Sequence, residues 1–343
     1  MTSAGFAHHG GRLGAARLAY SQAPQPWIDL STGINPRSYP APRARGVTLN
    51  RLPDTGELSR LEAVAAAAFG VADPQRVVAT GGTEPALRLL PFVVGVGTAT
   101  AVVAGPTYGS HVDGWAKAGV PSRVVADAEL DAAIGDRTAV IVVNPNNPDG
   151  RVIGRDRLRQ LHDAVASRDG VLVIDEAFAE VTPEASVAEL AGGESERLVV
   201  LRSFGKFYGL AGLRLGFVIG SPAIAARVRA LIGDWPVSVD ALAAGLAAYA
   251  DRAWADRMRG QLGAAARRLD GLLTRHGFEV VGGTSLYRLV RAADAPARFE
   301  RLAAAGILTR PFQHDARLLR FGLPGSPDAW RRLGEALAVD SNA

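Results

Sequence analysis

The sequence predicts an α/β fold in which a mainly parallel sheet is covered by helices, with a smaller α+β domain beside it. Three observations support this prediction: uninterrupted apolar runs, helix-like segments between them, and polar residues directly after each run. Strands that are buried on both faces are apolar at every position, whereas half-exposed strands alternate. The apolar runs span residues 76–79, 101–104, 139–143, 171–174 and 198–201.

Helical spacing of apolar residues occurs between these runs, at residues 58–69 and 155–167. The runs and the helical segments together predict a large α/β domain over residues 46–245. Such sheets bind ligands beyond the carboxyl ends of their strands, so the polar residues after each run are candidates for a site.

The rest of the chain predicts the smaller domain, formed by residues 246–343. An Ala- and Arg-rich amphipathic helix is expected over residues 249–276, and strand-like segments at 278–291 and 318–323 are each followed by a helix. Residues 1–45 are rich in Gly and Pro and have no regular period, so we expect an arm that wraps onto this domain.

Composition supports a folded, ligand-binding protein. The chain has 343 residues, of which 48% are hydrophobic and 21% charged, and this balance supplies a buried core. The net charge is +4 with a pI near 9.7, but the basic residues are scattered among acidic ones in helix-like segments. Solvated helix faces are therefore expected, and nucleic acid is not expected as a partner.

The absence of cysteine excludes disulfides, thiolate nucleophiles and cysteine metal sites. We expect no metal site. The N-terminus has no apolar segment typical of a secretory signal, which predicts a cytoplasmic protein. Residues 89–106 carry no charge, but Pro91, Gly95, Gly97 and Gly105 interrupt them. We therefore expect a helix end followed by a buried strand, and no membrane partner.

Amine chemistry has only two candidates, because the chain contains just two lysines, Lys117 and Lys206. Lys206 follows an apolar run and is flanked by Ser203 and several glycines, whereas Lys117 lies in no comparable context. Asp175 follows the preceding run directly. An unpaired carboxylate there would be costly, so a partner for it is expected.

Two motifs around these residues resemble those of the fold-type I pyridoxal-phosphate enzymes, the aspartate aminotransferase superfamily. SFGKFYGLAGLRLGF at 203–217 is similar to the lysine signature of that superfamily, and NPNNPDG at 144–150 to its asparagine turn. The resemblance extends over nearly the whole chain. It implies the aspartate-aminotransferase-like fold and pyridoxal 5′-phosphate as the cofactor.

The resemblance also implies roles for single residues. Lys206 would form the Schiff base with the cofactor, Asp175 would pair with the pyridine nitrogen, and Asn147 would bind the ring oxygen O3′. Tyr108 would stack on the ring. The phosphate would be held by the helix start and loop residues Gly82, Thr83, Ser203 and Arg214.

Two residues depart from the superfamily pattern. Leu52, in RLPD at 51–54, replaces a tyrosine that reaches the cofactor phosphate of the partner subunit in histidinol-phosphate aminotransferases. Phe178 stands where many relatives have a tyrosine on O3′, so it would contact the cofactor without a hydroxyl. The superfamily builds its sites from two subunits, so a homodimer is expected.

The choice of reaction depends on the N-terminal motifs. HHGGRLGAA at 8–16 and DLSTGINP at 29–36, with RLPD and GGTEPAL, are similar to the threonine-phosphate decarboxylases of cobalamin biosynthesis. That resemblance implies a small phosphorylated amino acid as substrate and decarboxylation as the reaction. The residues implied in substrate binding are His9, Arg12, Gly33, Asn35, Asn147 and Arg320, with Arg320 on the carboxylate and Arg317 as a near competitor.

Two alternatives remain open. A histidinol-phosphate-type aminotransferase would share phosphate-bearing substrates and nearly all the cofactor residues. A non-enzymatic regulator built on the same fold is the other alternative, and the presence of Lys206, Asp175 and Asn147 argues against it.

Overall fold

The computed structural model describes residues 3–6, 10–41, 50–95, 97–192 and 196–338. The chain divides into two compact units. The first unit comprises Met1–Ser38, Pro148–Gly150 and Ala255–Ala343, and the second comprises Tyr39–Asn147 and Arg151–Trp254. The domain boundaries expected after residues 45 and 245 stay a prediction.

The strands and helices are numbered in chain order. The strands are β1 (Ile28–Asp29), β2 (Val77–Thr80), β3 (Thr100–Ala104), β4 (Ser122–Val125), β5 (Thr138–Val143), β6 (Val171–Glu176), β7 (Leu198–Ser203), β8 (Gly216–Ile219), β9 (Glu279–Thr284), β10 (Tyr287–Arg291), β11 (Ile307–Leu308), β12 (Arg310–Pro311) and β13 (Leu318–Gly322). The α-helices are α1 (Leu13–Ala19), α2 (Thr55–Phe69), α3 (Thr83–Val94), α4 (Ser110–Lys117), α5 (Leu130–Ala133), α6 (Arg155–Ala166), α7 (Ala188–Ala191), α8 (Phe204–Phe207), α9 (Pro222–Ile232), α10 (Val239–Ala250), α11 (Arg252–Arg275), α12 (Ala295–Ala304) and α13 (Pro327–Ala338).

The second unit is built on a seven-stranded sheet with the order β2-β8-β7-β6-β5-β3-β4. All neighbours are parallel except β8, which runs antiparallel to both β2 and β7. The predicted mainly parallel α/β sheet is therefore confirmed. Every residue of β2, β5, β6, β7 and β8 is buried, which explains why these strands lack alternation.

Two strands of this sheet were not predicted. The edge strand β4 exposes Arg123 and Val124, so its sequence lacks a continuous apolar run. The antiparallel strand β8 directly follows the loop of the lysine motif. Helices pack apolar side chains on the sheet, among them Leu87, Trp115 and Val228.

The first unit contains an antiparallel sheet with the order β12-β13-β10-β9 and a parallel pair, β1 with β11. The pair joins the N-terminal segment to the C-terminal part of the chain, since Ile28 is in register with Ile307 and Asp29 with Leu308. The expected strands within 278–291 and 318–323, and the helices after them, are all present.

The prediction of a single helix over residues 249–276 was wrong at the start of that range. Tyr249 belongs to α10, and α11 begins only at Arg252. Asp251 separates the helices with φ −92° and ψ 71°, and its carboxylate accepts the N–H of Trp254 at 2.9 Å. An aspartate that caps the next helix competes with helix continuation.

The uncharged segment 89–106 forms the end of α3 followed by the buried strand β3, as expected. In the described part of the chain, no helix combines the length and the apolar character required to cross a membrane.

Candidate active site

The candidate site residues follow the carboxyl ends of strands in the sheet of the second unit. Because β2 and β7 both run antiparallel to β8, they point the same way as β3, β5 and β6. Gly82, Tyr108, Asn147 and Lys206 come shortly after β2, β3, β5 and β7, and Asp175 is the penultimate residue of β6. The fold thus brings the predicted cofactor residues to one edge of the sheet.

Asp175 is buried and has defined partners for both carboxylate oxygens. Its Oδ2 lies 2.8 Å from His111 Nε2, and its Oδ1 accepts the Ala177 N–H at 3.0 Å. His111 is also buried, in the first turn of α4. His111 was not predicted from the sequence, because a lone histidine inside an amphipathic helix has no spacing signal. The imidazole is therefore a partner of the buried carboxylate that was not expected, and the pairing of Asp175 with the pyridine nitrogen stays a prediction.

Lys206 lies in the short helix α8 and is half-buried. Its Nζ is 6.0 Å from the centroid of the buried Phe178 ring. The other lysine, Lys117, is exposed in the last turn of α4. The structure thus puts Lys206 near the end of β6, where Phe178 is, and leaves Lys117 on the surface.

Within the candidate phosphate site, Gly82 and the Arg214 guanidinium lie against each other. Gly82 has φ 101° and precedes Thr83 at the start of α3, where no side chain caps the helix. A Cβ at Gly82 would lie 2.7 Å from Arg214 Nη2, so only glycine lets the guanidinium lie against this helix start. The uncapped N–H groups and the adjacent cation suit an anion.

Ser203 ends β7 directly before α8, and it is buried. It is the N-cap residue of α8, but its side chain does not cap the helix. Arg214 itself has φ +57° and is exposed, and its Nη1 donates to the Ala211 carbonyl at 3.2 Å. The predicted phosphate residues Gly82, Thr83, Ser203 and Arg214 all lie in the second unit.

Tyr108 is half-buried and its hydroxyl donates to Glu84 Oε2 at 2.9 Å. Glu84 also pairs with Arg88 at 2.7 Å. Burial, together with the nearby Glu84 carboxylate, raises the pKa of Tyr108 to about 12. Burial alone would raise the pKa of Glu84, but the hydrogen bonds from Arg88 and Tyr108 outweigh it and lower that pKa. The phenol is therefore held neutral beside a charged carboxylate.

In the asparagine turn, Asn144 and Asn146 hold the backbone, whereas Asn147 is the candidate cofactor-binding residue. Asn144 exchanges two hydrogen bonds with the backbone of Ile153, at 3.1 and 2.8 Å. Asn146 donates to the Pro106 carbonyl at 3.0 Å and accepts from Thr107 Oγ1 at 2.5 Å. Asn147 is half-buried beside them. The first two asparagines thus fix the turn that presents Asn147.

A buried ion network lies on the opposite face of the same strands. Arg202 Nη1 contacts Glu176 Oε2, and its Nη2 contacts Glu180 Oε1, each at 2.8 Å. Ser186 Oγ donates to Glu176 Oε2 at 2.6 Å. Burial raises the pKa of Glu176, and Arg202 opposes this effect. Glu176 and Arg202 are register partners, so the network fixes β6 against β7.

The candidate substrate residues other than Asn147 and His9 are in the first unit. Arg320 is 3% exposed on β13, its Nη2 donates to the Ser31 carbonyl at 2.7 Å, and its Cζ lies 5.0 Å from the centroid of the Tyr287 ring. Arg317 is exposed and paired with Asp315 at 3.0 Å. Burial on a strand therefore favours Arg320 over Arg317 as a ligand-binding group.

Gly33 and Asn35 are buried in the segment after β1. The Asn35 side chain accepts the Arg37 N–H at 2.8 Å, as in an Asx turn. Arg12 is exposed at the start of α1, and its guanidinium donates to the Gly5 carbonyl. His9 lies outside the described residues.

Arg310 is a further cation, which was not predicted from the sequence. It is the register partner of Arg320 on the neighbouring strand β12. Within the described ranges, no cluster of three or more His, Asp or Glu side chains could hold a metal ion.

Comparison with known proteins gives one family match. The model of the family described as aminotransferase class I and II matches residues 26–337. A threonine-phosphate decarboxylase from Pseudomonas aeruginosa is 38% identical over 329 residues, which cover 96% of this chain and 96% of that protein.

Two further similarities are more distant. A histidinol-phosphate aminotransferase from Rhodospirillum centenum is 31% identical over 322 residues, covering 87% of this chain and 83% of that protein. The crystal structure of histidinol-phosphate aminotransferase from Sinorhizobium meliloti in complex with pyridoxal 5′-phosphate superposes with a TM-score of 0.80 at 22% identity, over 96% of this chain and 93% of that one.

Proposed function

Because the chain belongs to the class I and II aminotransferase family, we propose that it decarboxylates L-threonine O-3-phosphate in cobalamin biosynthesis. The product would be (R)-1-amino-2-propanol O-2-phosphate, with release of carbon dioxide. The single observation that carries this choice is the 38% identity to a threonine-phosphate decarboxylase over 96% of both chains. The protein is a pyridoxal-phosphate-dependent enzyme, as its family and this relative indicate.

The residues of the second unit suit this cofactor. The start of α3 has no side-chain cap and lies against Arg214, and a Cβ at Gly82 would push the guanidinium away, so these residues suit a bound phosphate. The backbone N–H of Thr83 and the side chains of Ser203 and Arg214 would hold the phosphate.

Lys206 would hold the cofactor covalently through its amine. When bound, pyridoxal phosphate supplies an electron sink for the carbon that loses its carboxylate. Asp175 would keep the proton on the pyridine nitrogen, because its charge is held by His111 and the Ala177 N–H. Tyr108 would pack on the ring and Asn147 would donate to O3′. Phe178 has no hydroxyl, so it offers contact without a second donor.

We assign recognition of the substrate to two groups of residues, one for its carboxylate and one for its phosphate. Arg320 would bind the α-carboxylate, because a guanidinium meets a carboxylate through two parallel hydrogen bonds. The substrate phosphate would be bound by the N-terminal arm and the segment after β1, through His9, Arg12, Gly33 and Asn35. A phosphorylated amino acid carries anionic groups at both ends, which suits these cations and backbone donors.

A second candidate is a histidinol-phosphate-type aminotransferase, favoured by the 31% identity to such an enzyme. The two candidates differ in products. The purified enzyme should release carbon dioxide from L-threonine O-3-phosphate without any keto acid. Amino transfer from histidinol phosphate to 2-oxoglutarate, with no carbon dioxide from threonine phosphate, would instead establish the aminotransferase.

We also infer a homodimer located in the cytoplasm. The family resemblance supports the dimer, and Leu52, which is 65% exposed, is available for a subunit contact in place of the family tyrosine. Sedimentation of the active enzyme at twice the chain mass is expected, and a fully active monomer would contradict the dimer.

A further inference from the structure

We propose that Ser31 is a positioning residue for substrate binding, which holds the Arg320 guanidinium and the glycine turn Gly10–Gly11 of the arm in one arrangement. This inference rests on the proposed function, in which both elements recognise the anionic substrate. Ser31 itself would not touch the substrate. It is 2% exposed and has no role assigned from the sequence.

Ser31 contacts the two elements through different atoms. Its carbonyl oxygen accepts from Arg320 Nη2 at 2.7 Å, and its hydroxyl oxygen accepts the Gly11 N–H at 2.7 Å. A guanidinium has five N–H donors in one plane. A bond from one of them to Ser31 therefore fixes the plane in which the others can meet a carboxylate.

Asp29 sets the direction of the Ser31 hydroxyl. The hydroxyl donates to Asp29 Oδ1 at 2.6 Å, and the Ser31 N–H donates to the same oxygen at 2.9 Å. Because the hydroxyl proton points at Asp29, a lone pair of the oxygen is directed to the Gly11 N–H. Asp29 is in turn held in the parallel pair of β1 and β11, where it is the register partner of Leu308.

The close approach of the arm requires glycine at position 10. A Cβ at Gly10 would collide with the Ser31 carbonyl oxygen, the same atom that accepts from Arg320. The arm and the guanidinium thus meet at one peptide group. Arg12 follows this turn directly, so the turn also determines where the chain of the arm continues.

A substrate with an anion at each end benefits from this arrangement. Groups that are already fixed do not lose conformational freedom when the substrate binds, so its binding energy is retained. Loss of the hydroxyl would remove the acceptor of the Gly11 N–H and loosen the arm, whereas the bond from Arg320 to the Ser31 carbonyl would stay. The effect on substrate binding by the arm would fall on KM.

The test compares Ser31→Ala with Ser221→Ala in the full-length holoenzyme. Ser221 is the matched control, because it is also 2% exposed and its hydroxyl accepts a backbone N–H, that of Ile224, at the start of α9. We expect Ser31→Ala to raise KM for L-threonine O-3-phosphate about tenfold, with kcat changed about twofold at most. Asp29→Asn should shift KM in the same direction. Ser221→Ala should leave KM unchanged.

A second readout needs no substrate. Trypsin should release the peptide ending at Arg12 several-fold faster from Ser31→Ala than from wild type or Ser221→Ala, as followed by mass spectrometry. If KM and tryptic release match wild type in both Ser31→Ala and Asp29→Asn, Ser31 is only a structural residue and the inference is wrong. If wild type does not decarboxylate threonine phosphate, the proposed function fails, whereas faster release at Arg12 would still support the link between Ser31 and the arm.

Discussion

His111 Nε2 lies 2.8 Å from Asp175 Oδ2, and both side chains are buried. The imidazole and the Ala177 N–H together satisfy the two oxygens of the carboxylate that we assign to the pyridine nitrogen. Removing His111 would leave one oxygen of a buried charge without its partner, which costs free energy in the folded protein.

We therefore predict that His111→Ala weakens pyridoxal-phosphate binding. Hydrogen bonds to charged groups are worth about 1.5–3 kcal/mol, which corresponds to a roughly tenfold to hundredfold increase in Kd. Fluorescence titration of the apoenzyme with the cofactor measures this change. His111→Asn retains a donor and should recover part of the affinity. An unchanged Kd in His111→Ala would contradict the role.

Lys206→Ala should abolish turnover and the absorbance of the protein-bound cofactor above 400 nm. The other lysine of the chain, Lys117, is exposed at the end of α4. The loss in kcat/KM should be many powers of ten, while Lys117→Ala stays within a few-fold of wild type. Substantial turnover by Lys206→Ala would end the assignment of this residue.

Gly82→Ala should displace Arg214 and weaken cofactor binding. The added Cβ would lie 2.7 Å from Arg214 Nη2, and φ 101° is unfavourable for alanine. We expect a roughly tenfold to hundredfold higher Kd for pyridoxal phosphate, as for loss of a charged hydrogen bond. Gly212→Ala is the control, since a Cβ at that position would meet no atom within 4 Å apart from its chain neighbours. Equal affinities in the two variants would refute this role of Gly82.

Tyr108 should stay neutral up to at least pH 10. Burial and Glu84 raise its pKa from 10.0 to about 12, so the folded protein keeps the proton where an unfolded chain would lose it. The stability that this gives is present below pH 10 and is lost as the pH rises through the raised value. The rate profiles of wild type and Tyr108→Phe should therefore have the same alkaline limb up to pH 10. An inflection below pH 10 that disappears in Tyr108→Phe would contradict this.

The sequence predicted those parts of the molecule that have a local signal. Buried strands such as β5 and β6 are apolar at every position, and Lys206 stands in a distinctive glycine-rich string. The pairing of Asp175 with His111 joins residues 64 positions apart, and no spacing rule connects them.

Contacts through the backbone are equally invisible in a sequence. The link from Arg320 to Ser31 uses a carbonyl oxygen, which every residue possesses, across 289 positions. The break between α10 and α11 depends on Asp251 acting as a cap, where the Ala- and Arg-rich pattern continues on both sides. Only the folded structure shows which residue accepts from Arg320 and where α10 ends and α11 begins.

The buried network of Arg202 with Glu176 has a consequence for how related chains can diverge. Side chains alternate along a strand, so Asp175 and Ser203 share one face of the sheet while Glu176 and Arg202 share the other. Inserting or deleting one residue in β6 or β7 would exchange the faces, so that Asp175 or Ser203 would turn away from the proposed cofactor site and Glu176 or Arg202 would turn toward it. Substitutions can accumulate in these two strands, but changes in their length should be eliminated by selection.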